Sequence, residues 1–290
     1  MNETAIEWTD ATWNPNSGCE VVSSGCKFCY AMTLAEQKRG TSAFPNGFEL
    51  TIRPHKLREP FVLKQPSMIF VNSMSDLFWE KIDDDYRDRI LDVIEATSQH
   101  EYQVLTKRPE NMLRYSRRRR LPRNFWAGVT IESATYLPRL DVLREVEASV
   151  RFISAEPLLS AFGRFNLDGI HWVITGGESG LHLADPRVRA NRALVEKLDE
   201  GGWRPREDRV AWVREIRDQC TAAGVALFHK QWGGLRPKSG GAELDGRAWK
   251  QYPRMPAAGM DGDERTNAEH RYRSWQRAQL SAAPAMMAAK

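Results

Sequence analysis

Three of the chain's four cysteines, Cys19, Cys26 and Cys29, lie within one short loop. Their spacing is Cys-x6-Cys-x2-Cys, and the loop between them contains Ser23, Ser24 and Gly25. Three thiolates from one flexible loop can hold three corners of a [4Fe–4S] cluster and leave the fourth iron open. An open coordination position distinguishes a reactive metal site from a closed structural one. The spacing therefore predicts a cluster held by these three residues.

Two other interpretations of the loop remain open. A zinc knot would need a fourth ligand, for which His55 and Cys220 are the candidates. The cysteines could also be unligated. Cys220 itself falls on the apolar face of a predicted helix, where a core position is expected.

Composition narrows the class of protein. The chain has 290 residues, of which 41% are hydrophobic and 28% charged, which is typical of a folded globular protein. Neither a run of 18 apolar residues nor a secretory leader is present, so we expect no membrane partner and a cytoplasmic location, where thiols stay reduced. The net charge of +4 permits a nucleic-acid partner without requiring one.

Short apolar runs recur along the chain, separated by helical patterns. Runs of this length, rich in β-branched and aromatic residues, are typical of buried strands in a parallel sheet. Alternation with helices predicts right-handed βαβ units. We expect an α/β fold, a partial (β/α)6–7 TIM-like barrel with parallel strands and the cysteine loop after the first strand. The predicted strands are 68–71, 102–105, 125–129, 150–153, 171–174 and 225–228, and the predicted helices are about 84–98, 136–148 and 207–223.

The domain organisation follows from what interrupts this pattern. Residues 1–252 are expected to form one barrel domain. The segment 180–206 is longer than a usual connection and contains Pro186 and Pro205, which indicates an insertion or lid. Residues 253–290 are expected to form a peripheral, partly disordered C-terminal extension.

Polar residues follow nearly every predicted strand. Ligands of parallel α/β proteins bind at the carboxyl ends of the strands, so we expect a shared polar site at this edge. Polar turns would explain any single group but not their recurrence. The groups are Asn72, Ser73, Ser75 and Asp76, then Thr106, Lys107 and Arg108, then Thr130 and Glu132, then Ser154 and Glu156, then Thr175, Gly176, Gly177, Glu178 and Ser179, then His229, Lys230 and Gln231.

These residues carry a resemblance to known proteins. The segment 26–29, Cys-Lys-Phe-Cys, resembles the cysteine-x-aromatic-cysteine end of the radical S-adenosylmethionine (radical SAM) motif. More closely, the chain from about residue 6 to 234 resembles an uncharacterised, phage-associated three-cysteine family, a domain of unknown function whose members look like radical SAM proteins. The matching segments are 6–15, the cysteine loop, 70–78, 103–109, 154–158, 176–180 and 230–233.

This resemblance implies a radical SAM enzyme. In that chemistry the open iron binds the amino and carboxylate groups of S-adenosylmethionine. An electron donor reduces the cluster, and cleavage of the sulfonium gives a deoxyadenosyl radical that abstracts hydrogen from a substrate. The protein's share is to position the cofactor and exclude competing reactions. Cys19, Cys26 and Cys29 would be the cluster ligands.

The resemblance also implies where the cofactor binds. The segment 72–76 follows the first strand beyond the cysteine loop, where the superfamily's methionine-binding motif is expected. Glu132 and Ser154 are candidates for ribose or methionine contacts, because carboxylates and hydroxyls can bond sugar hydroxyls. The expected cofactor-binding residues are Asn72, Ser73, Ser75, Asp76, Lys107, Glu132, Ser154, Glu156, Gly176, Gly177, Glu178 and Lys230.

Two parts of this set have additional interpretations. Lys107, Arg108 and Lys230 would meet an anionic substrate or the cofactor carboxylate. The segment 176–178 resembles the superfamily's Gly-Gly-Glu motif, although it follows a late strand. Its glycines either bring backbone N–H groups close to a ligand or form a tight turn.

An arginine run suggests a partner. Arg114, Arg117, Arg118, Arg119, Arg120 and Arg123 form either a solvated surface or a phosphate-binding surface. Among radical SAM proteins, a DNA-repair lyase acting on photoproducts would suit a basic, aromatic-rich barrel. An alternative of a different class is a non-catalytic nucleic-acid-binding protein braced by zinc or an iron–sulfur cluster. The missing fourth cysteine and the polar strand ends favour the enzyme.

Overall fold

The computed structural model describes residues 2–253, which are built around one large sheet. In chain order the strands are β1 (Asn2–Glu3), β2 (Ala11–Trp13), β3 (Asn16–Ser17), β4 (Thr51–Ile52), β5 (Met68–Val71), β6 (Glu101–Thr106), β7 (Phe125–Thr130), β8 (Val150–Ala155), β9 (Trp172–Gly176), β10 (Val195–Lys197), β11 (Trp203–Pro205), β12 (Ala226–Gln231), β13 (Glu243–Leu244) and β14 (Arg247–Ala248). The helices are α1 (Tyr30–Gln37), α2 (Glu59–Val62), α3 (Asp84–Ala96), α4 (Pro109–Arg118), α5 (Pro138–Glu145), α6 (Pro186–Arg192) and α7 (Glu207–Ala223).

The large sheet has eight strands in the order β1-β2-β5-β6-β7-β8-β9-β12. β1 pairs antiparallel with β2, and the other seven strands are parallel to one another. Neighbouring strands of the parallel part follow one another along the chain, and the sheet curves into a half-barrel. The predicted partial barrel with parallel strands is therefore confirmed, as is the place of the cysteine loop after its first parallel strand, β2.

Side chains alternate between the two faces of the sheet and form two apolar clusters. Outward-facing residues such as Ile69, Val104 and Val173 pack against the helices in the larger cluster. The smaller cluster fills the concave face and consists of Trp8, Phe70, Trp126, Val150, Phe152, Trp172, Ile174 and Phe228. Ring edges meet ring faces there, with centroids 6.2 Å apart for Trp8 and Trp172 and 6.0 Å apart for Trp126 and Trp172. These mostly aromatic side chains therefore fill the inside of the half-barrel.

The three predicted helices are present. α7 spans the predicted residues, and α3 begins after Asp83, whose carboxylate accepts a hydrogen bond from the Tyr86 N–H. A 3₁₀ turn at Ala134–Tyr136 precedes α5, with Pro138 in its first turn. The predicted insertion, 180–206, contains a 3₁₀ turn, α6, β10 and β11. Most of the predicted C-terminal extension, 254–290, lies outside the described residues. Over residues 2–253, no helix has the length and apolar character needed to cross a membrane.

Candidate functional site

The carboxyl ends of the parallel strands surround a cavity of about 580 Å³. This volume falls within the range of small-molecule sites. Trp8, Phe70 and Leu105 give the cavity an apolar floor. Its polar wall contains ten of the twelve residues predicted to bind a cofactor, namely Asn72, Ser73, Ser75, Asp76, Lys107, Ser154, Glu156, Gly177, Glu178 and Lys230. The strand ends thus form one site, and only Glu132 and Gly176 of the predicted set stand behind its wall.

The cysteine loop covers one side of this cavity. Cys19, Cys26 and Cys29 are all free thiols, partly buried, and all three line the cavity. A 3₁₀ turn at Ser24–Cys26 carries the middle cysteine, and Cys29 directly precedes α1. Within residues 2–253, no three His, Cys, Asp or Glu side chains are grouped closely enough to hold a metal ion. The three thiols therefore share one wall of the cavity without forming a compact site for a single metal ion.

The two candidate fourth ligands of a zinc knot do not join the loop. His55 is exposed on a 3₁₀ turn, and Cys220 is buried in the apolar cluster beneath α7. Neither residue lines the cavity. The core position predicted for Cys220 is confirmed, and its burial raises the pKa of the thiol to about 12.

The surroundings of the loop shift the pKa values of two of the thiols in opposite directions. Burial alone would raise the pKa of Cys26, but the Lys107 ammonium and hydrogen bonds to the sulfur, one of them from Ser23, outweigh it and lower that pKa. Burial and the nearby Asp76 carboxylate raise the pKa of Cys19 to about 11, although Arg108 opposes them. Cys26 is thus the thiol whose surroundings favour the nucleophilic, metal-binding thiolate form.

The segment 72–76 is fixed by two asparagines that precede the cysteine loop. Asn14 contacts the Ser73 hydroxyl at 3.0 Å, and Asn16 donates to the Ser75 hydroxyl at 2.6 Å. Ser75 in turn donates to the Gly18 carbonyl at 2.6 Å, which ties the start of the cysteine loop to this segment. Sequence reasoning assigned no role to either asparagine, because their partners lie about 60 residues away along the chain.

Two residues of this segment, both in the cavity wall, differ in how far their side-chain oxygens are hydrogen-bonded. The Asp76 carboxylate is fully engaged, accepting from the Thr106 hydroxyl at 2.7 Å and from the Arg108 guanidinium at 3.1 Å. Asn72 has a left-handed backbone, with φ 61°, and its side-chain Oδ1 is buried without a hydrogen-bond partner. A buried amide oxygen without a partner is costly, and here it belongs to a residue of the cavity wall. Among the wall residues, it is a side-chain acceptor that still lacks a hydrogen-bond partner.

Glu132 is completely buried behind the cavity wall. Its carboxylate pairs with Arg139 at 2.9 Å, lies 3.8 Å from the Lys107 ammonium and accepts a hydrogen bond from the Ser23 hydroxyl. A Cβ at Gly25 would lie only 2.6 Å from the Glu132 Cγ, so the loop approaches this side chain more closely than any other residue type would allow. Glu132 therefore supports the cysteine loop from behind the cavity wall, through its contacts with Ser23 and Gly25.

The glycine pair at the end of β9 allows the backbone there to lie close to the backbone at the end of β12. The Gly177 N–H donates to the Gln231 carbonyl at 2.9 Å, and a Cβ at this position would lie 2.0 Å from the Trp232 carbonyl oxygen. The Gly176 carbonyl accepts from the Leu158 N–H. The Gly177 N–H is therefore engaged by the backbone at the end of β12, an arrangement that differs from both the ligand contact and the tight turn interpreted from the sequence.

Glu178 and Glu156 each hold a basic partner. Glu178 forms a two-pronged ion pair with Arg192, at 2.7 and 2.8 Å, and lies 3.3 Å from the His182 ring nitrogen. Glu156 pairs with the Lys230 ammonium at 3.1 Å, and its other oxygen accepts from the Trp8 indole N–H at 3.2 Å and from Ser154 at 3.3 Å. Neither Arg192 nor Trp8 was assigned a role from the sequence.

The arginine run lies away from the cavity. Arg114, Arg117 and Arg118 stand on α4, and none of the predicted phosphate contacts lines the cavity. Acidic residues of α3 neutralise much of the run. The ion pairs join Arg114 to Asp84, Arg118 to Asp84 and Asp88, and Arg119 to Asp88, Asp92 and Glu95, while Arg117 pairs with Glu145 of α5.

Comparison with known proteins places this site in a family. The family described as "Protein of unknown function (DUF5131)" matches residues 3–197 and 198–253. The chain belongs to this family. A search of curated protein sequences found no match.

Solved structures share the fold. A cysteine-to-serine mutant of a spore photoproduct lyase is similar with a TM-score of 0.50 and 12% sequence identity, over 80% of this chain and 78% of that one. A spore photoproduct lyase complexed with a dinucleoside spore photoproduct is similar with a TM-score of 0.44 and 12% identity, over 76% and 74% of the two chains. The half-barrel sheet is thus one that a photoproduct lyase also uses.

Proposed function

We propose that this chain is a radical SAM enzyme that acts on nucleic acid. Cys19, Cys26 and Cys29 would hold three irons of a [4Fe–4S] cluster, and S-adenosylmethionine would be the second cofactor. The observation that carries the proposal is that all three thiols line the cavity formed by the polar strand ends. The half-barrel fold shared with a spore photoproduct lyase supports it.

The donor set fits a cluster better than zinc. Thiolates are the usual ligands of iron–sulfur clusters, and three of them leave one iron open. A structural zinc site needs four protein ligands, and neither His55 nor Cys220 reaches the loop.

Residues of the wall would hold the second cofactor. The unpartnered Asn72 Oδ1 can accept a hydrogen bond from the ammonium group of the cofactor. The Lys230 ammonium, which pairs with Glu156, can also bind the cofactor carboxylate. Ser154 and Glu156 offer oxygens to sugar hydroxyls. Trp8 and Phe70 close the floor and exclude water from below. When bound, the cluster and S-adenosylmethionine supply a deoxyadenosyl radical, for which an external electron donor is needed.

Nucleic acid is the substrate class that we propose by analogy with the photoproduct lyase, since fold alone does not fix a substrate. Exposed basic side chains next to cavity-lining residues support this choice. Lys27 of the cysteine loop and Arg236, next to the cavity-lining Pro237, are exposed. Such residues can contact phosphates without reading sequence.

Anaerobic reconstitution tests the proposal. The wild-type protein should bind about four irons and four sulfides for one cluster, and with dithionite and S-adenosylmethionine it should release 5′-deoxyadenosine. Cys26→Ala should lose both the cluster and the cleavage. Cys220→Ala, which removes a core thiol away from the cavity, should keep both.

Two outcomes would contradict the proposal. A colourless protein that holds one zinc would favour the non-catalytic, metal-braced alternative. A protein that takes up the cluster but leaves S-adenosylmethionine intact would remove the radical reaction.

A further inference from the structure

Residues of the predicted insertion 180–206 pack against one aromatic side chain of the cysteine loop. Phe28 stands between Cys26 and Cys29, and its ring stacks on the His182 ring with centroids 4.1 Å apart and an interplanar angle of 3°. The Arg192 guanidinium lies 5.1 Å from the centroid of the same ring. Stacking on a guanidinium and on a planar ring orients an aromatic side chain as well as burying it.

Arg192 connects this contact to the sheet. Its guanidinium binds both oxygens of Glu178, directly after β9, and also donates to the Ser24 carbonyl at 3.2 Å. The side chains of Arg192 and Glu178 are only 12% and 7% exposed, so solvent screens the pair weakly. His182, 3.3 Å from the same carboxylate, completes the group. One guanidinium thus contacts a strand end, the backbone of the loop and the Phe28 ring.

We propose that Arg192 is a positioning residue, which holds the segment between Cys26 and Cys29 against the end of β9 and keeps two of the three thiols facing the cavity. The inference deepens the proposed function and rests on it for the identity of the bound cluster. The insertion 180–206 acts here as a clasp on the cysteine loop.

The geometry requires arginine at this position. A guanidinium presents a planar fork that matches both carboxylate oxygens, and a lysine ammonium does not. Lysine would keep the charge opposite Glu178 but could make neither the two parallel hydrogen bonds nor the planar contact with Phe28. Arg192→Lys is therefore expected to resemble Arg192→Ala in its effect on the loop.

Hydrogen–deuterium exchange on the protein without cofactors tests this step. In Arg192→Ala, amides of residues 23–29 should exchange about tenfold faster than in the wild type, because loss of a charge-assisted contact raises local opening by about this factor. Amides of α3 and α7 should not change. The matched control is Arg187→Ala, which removes an exposed arginine from the same helix, away from the loop.

The same variants carry a second measurement on the reconstituted protein. Iron should pass to a chelator about tenfold faster from Arg192→Ala than from the wild type or from Arg187→Ala, in step with the faster opening. The electron paramagnetic resonance signal of the reduced cluster should also change, as it would not for a residue that only stabilises the fold.

The outcomes separate this inference from the proposed function. Unchanged loop exchange in Arg192→Ala, relative to Arg187→Ala, overturns the clasp whether or not a cluster binds. Faster loop exchange in a protein that takes up no iron supports the clasp and overturns the proposed function. Should Arg192→Ala fail to fold, Arg192→Lys and Phe28→Leu provide the same comparison, and normal loop exchange in both of them overturns the inference.

Discussion

At the scale of single residues, the cavity wall consists of polar groups that are already engaged. Asp76, Glu156 and Glu178 each have at least two partners, and Glu132, which lies behind the wall, has three. Preorganised polar groups of this kind hold a site open without rearranging when a ligand arrives. Asn72 Oδ1 is an acceptor of the wall residues that is buried without a partner among the described residues.

A substitution at Glu132 measures how much these preformed polar contacts contribute to the stability of the fold. Glu132→Gln should lower the free energy of unfolding by about 3 kcal/mol, because it leaves the buried Arg139 guanidinium without its counter-charge. Urea denaturation gives the value. Glu145→Gln is the matched control, since Glu145 pairs with Arg117 on the surface, where both side chains are more than half exposed. That change should cost less than about 0.5 kcal/mol. Equal losses in the two variants would contradict the bracing role.

A second carboxyl makes stability depend on pH. Burial raises the pKa of Glu101, at the start of β6, to about 7, although the Trp126 indole N–H donates to it at 2.8 Å. Between pH 4.5 and 7 the folded protein then holds a proton that the unfolded chain has released. This carboxyl's contribution to stability is therefore present at low pH and lost as the pH rises through that window.

The pH dependence can be isolated with Glu101→Gln. The variant should gain stability relative to the wild type on going from about pH 5 to about pH 8, by roughly 1–2 kcal/mol after allowing for the partial exposure of the carboxyl. Urea denaturation at the two pH values gives the comparison, and the other titrating groups cancel between the two proteins. A constant difference at both pH values would show that the carboxyl is not perturbed.

At the scale of elements, the sequence was informative where periodicity is strong. α3 and α7 carry long apolar faces with a capping aspartate or a terminal glycine, and both lie where predicted. β2 was not recognised as a strand, because three residues are too short to show alternation. The small elements of the insertion, α6, β10 and β11, are hidden for the same reason.

The arginine run shows why the site could be predicted only in part. Its charges are plain in the sequence, but their partners Asp84, Asp88 and Asp92 come from α3, which only the fold brings alongside α4. The strand-end residues could be predicted as a group, because parallel strands end at one edge. Arg192 could not, because nothing in its local pattern links it to a loop more than 160 residues earlier.

At the scale of the whole molecule, the two ends of the described chain close the half-barrel. The Glu7 carboxylate meets the Lys250 ammonium at 2.7 Å, and the Tyr252 hydroxyl donates to the Glu7 carbonyl at 3.2 Å. These contacts join the segment before β2 to the segment after β14, across the gap between the first and last parallel strands. Access to the cavity is thereby left at the carboxyl ends of the strands, where the cysteine loop and the segment 180–206 lie.

This arrangement predicts which basic residues meet a nucleic acid. Binding of a single-stranded oligonucleotide should weaken with salt, with a slope of about −0.7 per phosphate contact in a plot of log affinity against log salt concentration. The double variant Lys27→Ala/Arg236→Ala removes two exposed charges next to cavity-lining residues and should make the slope shallower by about 1.4 if each residue makes one contact.

The double variant Arg117→Ala/Arg118→Ala supplies the control, because it removes the same charge from α4. Acidic residues of α3 and α5 already neutralise these arginines, so the slope should stay as in the wild type. A larger change of the salt slope in this variant than in Lys27→Ala/Arg236→Ala would show that nucleic acid binds on the outer helices, away from the cysteines. Affinity that ignores salt in every variant would exclude phosphate contacts, and with them the nucleic-acid substrate.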